Sequence, residues 1–315
     1  MQDTFSIPSC FTPGEPTADD PTSIAATRSG RSIVASVYRT MIAGHCRLIT
    51  VTWCRDVRVH GLSISVVEDS DNVDETNMIS SKRHSCKVEL RPWCFWRKHG
   101  WKRFHVEGKP VDVFWDLKSA KFSGEPEPRS DYYVAVVSDD EVVLLLGDLN
   151  KEAYRRTGSR PAAIDATLVS RKEHVFGKKR FVARSILSEK GKLHEILIEC
   201  SNRSSSSSIG RSNMDPEMVI KVDAHVAIHV RHLQWKFRGN QSITVNKARV
   251  EVYWDVHDWL FSPGLTHALF IFKPRSLLHS STSSSPSLMS SFDGKDSDAD
   301  GSSGFCLFLY AWKLE

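Results

Sequence analysis

The sequence predicts an all-β protein built from a tandemly duplicated antiparallel module, and three observations carry that prediction. Apolar and polar residues alternate with period two over most of the chain, the pattern of half-buried strands. Short links such as Ala43-Gly44 and Phe176-Gly177 read as hairpin turns. The string Val111-Asp-Val-Phe-Trp-Asp-Leu117, followed by Phe122-Ser123, recurs 139 residues later as Val250-Glu-Val-Tyr-Trp-Asp-Val256, followed by Phe261-Ser262. Trp96, Gly100 and Val106 fall on Trp235, Gly239 and Val245 at the same offset. With a small shift, Val59-His60-x-Leu62 falls on Leu193-His194-x-Ile196.

The elements follow in order. Residues 1–31 are rich in Pro, Thr, Ser and Asp, too poor in large apolar groups to offset the entropy of ordering, and are expected to be a disordered tail. Copy one spans 32–148, with strands near 33–42, 45–53, 59–67, 84–91, 93–106 (broken around Gly100), 110–117, 131–137 and 141–147. Residues 149–164 form a helical connector and linker, with helical character over 148–156 and Gly158-Ser-Arg-Pro161 after it. Copy two spans 165–315, with strands near 166–175, 180–187, 193–199, 217–230, 233–245, 249–256, 267–273 and 305–312. Within it, Ile220 to Val230 alternates without a break and reads as one long strand with a wet face. Serine-rich insertions near 201–215 and 276–303 read as disordered excursions open to phosphorylation, for instance at Ser285 before Pro286. Each module is then a barrel or a sandwich of about eight strands, the two related by a pseudo-twofold. Meander connections favour a barrel.

Composition narrows the function classes. A net charge of +4 over 315 residues does not demand a nucleic acid or a membrane. Seven scattered cysteines without a C-x-x-C pair read as reduced thiols. The N-terminus lacks the features of a signal or transit peptide, and no apolar run approaches the ~20 residues of a membrane helix. A soluble cytoplasmic or nuclear protein is expected, in which the Asn202 and Asn240 sequons are accidental.

A duplication also filters sites, because what both copies carry belongs to the fold. Asp116 and Asp255 recur together, so they read as caps of the turns after their strands, and Trp115 and Trp254 as core. Trp96 and Trp235, each followed by a basic residue and a Gly, read as buried tryptophans at a hairpin tip. His225 and His229 on one strand lie about 13 Å apart, at ~3.3 Å per residue, with His232 on the other face, so no metal site is expected there. His60 and His194 read as turn or core histidines. Asp296-x-Asp298-x-Asp300-Gly301 opens like a calcium loop but has Leu307 in place of the closing acid. No nucleotide-binding or hydrolase motif is present, so no catalytic residue and no cofactor are expected.

One excess survives the filter. Arg91 to His105 interleaves aromatics with cations more densely than its counterpart around Trp235, which leaves Arg97, Lys98, Trp101, Lys102 and Arg103 as contacts for an anionic surface. The bland reading is a solvated basic loop.

Several strings carry a family resemblance: Leu48-Ile-Thr-Val-Thr-Trp-Cys54, Gly61-Leu-Ser-Ile-Ser65, Cys86-Lys-Val-Glu-Leu-Arg-Pro-Trp93, Val113-Phe-Trp-Asp-Leu-Lys-Ser-Ala-Lys-Phe122, Pro126-Glu-Pro128, Tyr133-Val-Ala-Val-Val137 and Leu144-Leu-Leu-Gly-Asp-Leu-Asn-Lys-Glu-Ala-Tyr154. From about residue 33 onward the chain resembles a plant-specific family of proteins of unknown function, number eight-six-eight. The resemblance implies a plant source and supplies no activity, cofactor or site residue.

Three function classes follow. The first is a non-catalytic binding or interaction module for a small apolar ligand or a protein partner, and it leads. The second is a peripheral module for anionic membranes or phospholipids. The third is an enzyme of unidentified class. Nucleic acid is the least favoured partner.

Overall fold

The computed structural model describes residues 31–56, 60–67, 83–90, 98–187, 192–204, 214–275 and 304–313. The tail before residue 31, the serine-rich stretches 205–213 and 276–303, the acidic Asp296 loop and the aromatic-basic residues 91–97 lie outside the described residues.

The chain divides into two units, one running through Gly177 with Ala311 to the end, the other Lys178–Tyr310. In the first, β1 (Ser32–Ile42), β2 (His45–Arg55), β3 (His60–Val67) and β4 (Arg83–Leu90) form an antiparallel meander, and β10 (Thr167–Phe176) pairs with β1 on its far side. A second sheet runs in the order β5 (His99–Val106), β6 (Lys109–Asp116), β7 (Tyr133–Ser138), β8 (Glu141–Gly147) and β9 (Arg160–Pro161). The unit boundary falls at Gly177, past the expected 164/165, because β10 is zipped to β1 from Ser32↔Val175 to Arg39↔Thr167. Phe176-Gly177 is consequently no hairpin.

In the second unit, β11 (Arg180–Ile186), β12 (Leu193–Ser204), β13 (Met214–Val222) and β14 (His225–Val230) form one meander. β15 (Arg238–Val245), β16 (Ala248–Asp255), β17 (His267–Arg275) and, up to Tyr310, β18 (Cys306–Trp312) are neighbouring strands in that order. Among the described residues every strand order is linear and no sheet closes on itself, so the barrel favoured by the sequence does not form.

The alternation seen in the sequence fills the space between the sheets. In the first unit, Ile49, Val51 and Trp53 of β2 and Leu62, Ile64 and Val66 of β3 meet Val111, Val113 and Trp115 of β6 and Val134 and Val136 of β7 in one core. Thr40 Oγ1 on β1 donates to the Val143 carbonyl at 2.8 Å. In the second unit, Phe181 of β11 meets Phe270 of β17, ring centroids 6.0 Å apart. Burial on this scale, about 25 cal/mol per Å² of apolar surface, is the main favourable term in such a fold.

Five two-residue turns have positive φ at both positions, the requirement of a type I′ hairpin: Ala43-Gly44, Glu107-Gly108, Asp139-Asp140, Asp223-Ala224 and Asn246-Lys247. The expected long strand Ile220–Val230 is therefore a hairpin, β13 turning into β14 at Asp223-Ala224. A two-residue turn reverses the facing of the following strand. A bulge after Val226 restores it, so Ile228 and Val230 are buried while Val226 is left 61% exposed.

Among the described residues two helices complete the fold. α1 (Asn150–Thr157) lies where the sequence places it, stopped by Gly158 at φ 66°, whose N–H donates to the Tyr154 carbonyl at 3.0 Å. Its Ala153 packs on Tyr133, Ala135, Val137 and Val142, covering the outer face of β7 and β8. The short α2 (His257–Phe261) was not expected.

The two sheets containing the repeated strings share local details. Gly100 pairs with Trp115 and Gly239 with Trp254. Leu117 N–H donates to the Lys98 carbonyl (2.6 Å), and Val256 N–H to that of Phe237 (2.9 Å). Asp116 Oδ1 accepts from Lys118 N–H and Asp255 Oδ1 from His257 N–H, both at 3.0 Å, the turn-capping roles expected of these acids. His60 opens β3, the third strand of its meander, and His194 is the second residue of β12, the second strand of its own. Arg47 hydrogen-bonds Glu107 in the β5–β6 turn, as His194 contacts Asn246 in the β15–β16 turn.

A Cβ on Gly239 would come within 2.3 Å of the Trp254 ring, and one on Gly100 within 3.0 Å of Trp115. Gly239→Ala is therefore expected to destabilise the protein by roughly 1–3 kcal/mol, and Gly100→Ala by less. Urea unfolding of the two variants checks the order. Equal midpoints would refute it.

Candidate functional site

The aromatic-basic segment is divided by the strand that carries it. On β5, His99, Trp101, Arg103 and His105 share one face, and Gly100, Lys102, Phe104 and Val106 the other. The second set turns toward the interior, where Phe104 packs on the core and Lys102 lies near enough to Cys86 to act on its thiol. Trp96 and Arg97 lie outside the described residues, and Lys98 precedes the strand. Of the residues singled out for an anionic surface, Trp101 and Arg103 share the outer face and Lys102 lies on the other, while Arg97 is outside the described residues.

That face is built by cross-strand pairing with β6. Trp101 sits opposite Phe114, their rings 22° from parallel with centroids 6.2 Å apart. Arg103 sits opposite Asp112 and donates from Nε and Nη2 to its two carboxylate oxygens, each bond 2.7 Å. The Arg103 guanidinium is 5.7 Å from the Trp101 ring centroid. Trp101 remains 54% exposed. Toward β7 the surface continues into Phe114, Leu149 and Tyr154 against α1. On the other side it stops at β5, the end strand of its sheet.

Trp115 and Trp254 are buried as expected, the indole Nε1 of Trp254 donating to the Lys236 carbonyl at 3.0 Å. Trp235 is not core. It is 80% exposed, in the turn before β15 where Trp235 N–H bonds the His232 carbonyl. The Trp-basic-Gly pattern thus marks the approach to a strand, with Gly239 beneath Trp254 and the first tryptophan left outside.

Four histidines bear on the metal question. His194, fully buried, has Nδ1 2.8 Å from Asp223 Oδ2 and Nε2 3.4 Å from Asn246 Nδ2. The hydrogen bond to His194 holds the Asp223 carboxyl below its ordinary value, helped by the N–H of Glu195. His225 contacts the Asp223 carbonyl and His229 the Glu217 carboxylate. His60 packs edge-on against Phe122, and burial lowers its basicity. Among the described residues no group of three or more His, Cys, Asp or Glu side chains could hold a metal ion. Burial pushes up the thiols of Cys86, Cys306 and Cys200, the last to about 12, so all three stay protonated at neutral pH.

Sequence reasoning missed one cluster. Arg171 and Glu173 of β10 point between the sheets, where Arg171 Nε donates to Glu173 Oε1 (2.6 Å) and Nη1 to Glu127 Oε2 (2.7 Å) and Ser36 Oγ (3.4 Å). Burial works against the Arg171 charge, but Glu173 and Glu127 outweigh it and raise its pKa. Burial, reinforced by Glu127 and Glu125, holds the Glu173 carboxyl above the usual range despite Arg171. The nearby phenols of Tyr38 and Tyr132 are pushed up by burial and then by Glu127. The signal in the sequence was a pair of charges at 171 and 173, in phase on a strand, together with Glu127 between two prolines. The cluster ties the 118–132 connection to β1 and β10, and its carboxylates are occupied by the guanidinium they share.

The fold and this surface define a mostly-β protein of open antiparallel sheets with an aromatic outer face. The family model for plant proteins of unknown function, DUF868, matches residues 29–313, and the chain belongs to that family. No curated protein and no solved structure gives a significant match. The described residues contain no helix long and apolar enough to cross a membrane.

Arg171→Met leaves the buried Glu173 and the partly buried Glu127 carboxylates without their cation and is expected to cost roughly 3–5 kcal/mol in urea unfolding. A loss under 1 kcal/mol would show that the cluster bears no structural load. Because the Glu173 pKa is raised on folding, the native state binds the proton more tightly. Its contribution to stability is complete below the unfolded pKa, about 4.3, and disappears as pH rises through the folded value. Glu173→Gln should therefore gain in melting temperature relative to the parent protein as pH rises from 4 to 8. A difference that stays constant with pH would contradict the raised pKa.

Proposed function

We propose that the protein is a non-catalytic binding module that takes its partner on the outer face of β5 and β6. The observation that carries this reading is Trp101, a large aromatic half exposed on a sheet face beside a fixed Arg103–Asp112 pair. Exposed aromatics next to oriented polar groups are the usual anchors of recognition surfaces. An interior ligand is less well supported, since Ile49, Val51, Trp53, Leu62 and Ile64 fill the space between the sheets of the first unit.

The anionic-membrane reading is also weaker. Arg103 is already paired with Asp112, and Lys102 lies on the opposite face. Its test is liposome pelleting that disappears when Lys98 and Arg103 are neutralised.

We also infer that the two units arose by duplication of one module. What supports this is the shared pairing of Gly100 with Trp115 and Gly239 with Trp254, and the shared caps of Asp116 and Asp255. Against that background Trp101 and Arg103, whose counterparts are Asn240 and Ser242, mark the copy with the added task.

The test compares immobilised full-length protein, Trp101→Ala and Val182→Ala, an exposed position of the second unit, in plant extract, scoring retained protein and retained carbohydrate. A component held by the parent and Val182→Ala but lost with Trp101→Ala is expected. Identical retention on all three columns would overturn the binding face. A native mass spectrum showing a released mass of a few hundred daltons would favour the interior ligand instead.

A further inference from the structure

The binding face, if it is the site argued above, has a chemistry that narrows what it takes. We propose that the outer face of β5 and β6 is a subsite for a neutral carbohydrate chain, with the Trp101 indole as its stacking platform.

Charge balance is the first argument. The two groups beside the exposed ring are opposite in sign and joined by two 2.7 Å bonds, Arg103 to Asp112, so they present no net charge to a ligand. The next pair along the strands, His99 opposite Asp116, adds an acid and no permanent cation. A phosphate chain or an anionic surface would have to break the Arg103–Asp112 pair and approach two carboxylates. An apolar segment laid over the face would strip water from that ion pair without replacing its hydrogen bonds.

Shape and hydrogen-bonding capacity supply the second. A pyranose ring has a face of C–H bonds, positive in character, that suits the electron-rich face of an indole. Its rim carries hydroxyls, each both donor and acceptor. Beside the exposed indole both complements are present: the guanidinium, whose carbon lies over the ring 5.7 Å from its centroid, retains Nη1, unused by Asp112, as a donor, and Asp112 supplies acceptor oxygens. Phe114, nearly parallel to Trp101, extends the aromatic surface toward α1. Among the described residues β5 is the last strand of the sheet on the other side.

The same face in the second unit lacks the platform. There Asn240 stands opposite Tyr253 and Ser242 opposite Glu251, and the Tyr253 hydroxyl is turned to the Glu251 carboxylate at 3.0 Å. The proposal therefore concerns the first unit alone.

Native affinity electrophoresis of the full-length protein tests it, in gels containing xyloglucan, galactomannan, arabinoxylan, mixed-linkage glucan or, as the anionic comparison, polygalacturonate. At least one neutral polysaccharide should retard the parent protein and Val182→Ala equally. Trp101→Ala, at an exposed position with an unchanged melting temperature, should lose about tenfold or more in apparent affinity. Retardation by polygalacturonate alone, by no polysaccharide, or equally for Trp101→Ala overturns the proposal. If no polysaccharide binds while the extract columns still separate the parent from Trp101→Ala, the carbohydrate class falls and the face stands with a protein partner. If the columns also agree, both fall.

Discussion

A tryptophan lying over a strand glycine sets the geometry on which the rest depends. Trp115 over Gly100 and Trp254 over Gly239 leave no room for a side chain beneath the indole, so each hairpin is held in one register. A slip of one residue would put a Cβ where the ring sits and turn every following side chain to the other face. Register in turn decides what faces outward. With Gly100 opposite Trp115, Trp101 must lie opposite Phe114 and Arg103 opposite Asp112. The exposed platform is thus a consequence of how the interior ring is seated.

The first unit buries polar groups at its ends and apolar ones in the middle. Between the sheets lie Ile49, Val51, Leu62, Val113 and Val134, which need no partners. Toward one end Arg171 joins Glu173, Glu127 and Ser36, and elsewhere Arg47 reaches Glu107. These groups fasten connections to strands. Their desolvation is offset only because each charge meets a partner, which makes such knots poor contributors to stability while intact and costly to damage. The second unit fastens a turn in a similar way, with buried His194 between Asp223 and Asn246.

Much of this was legible in the sequence. Period-two alternation located nearly every strand, because both sheets of a stacked pair bury one face and wet the other. The misplaced features have local causes. Asp223 and Ala224 turn a hairpin without Gly or Asn, so nothing interrupted the alternation from Ile220 to Val230, and the turn and its bulge were invisible. Barrel and stacked sheets share their meander, and what distinguishes them is which edge strands meet, a long-range matter that no local pattern encodes. The buried Arg171 cluster joins residues 36, 127, 171 and 173, brought together only by the pairing of β1 with β10. The outer-face platform was half visible. The sequence showed the excess of cations and aromatics, but only strand direction separates Lys102 from Arg103.

That separation has a meaning apart from ligands. A strand at the end of a sheet exposes unpaired backbone groups and invites another chain to add to it, and natural proteins deter this by placing cations there. Among the described residues β5 is such a strand, and with Trp101, Phe104 and Val106 it would be attractive to a foreign strand if its remaining residues were apolar. Lys102, on the face away from the Arg103–Asp112 pair, confronts any incoming copy of β5 with like charge. The basic run that first looked like an address for anions therefore also carries a deterrent to strand addition.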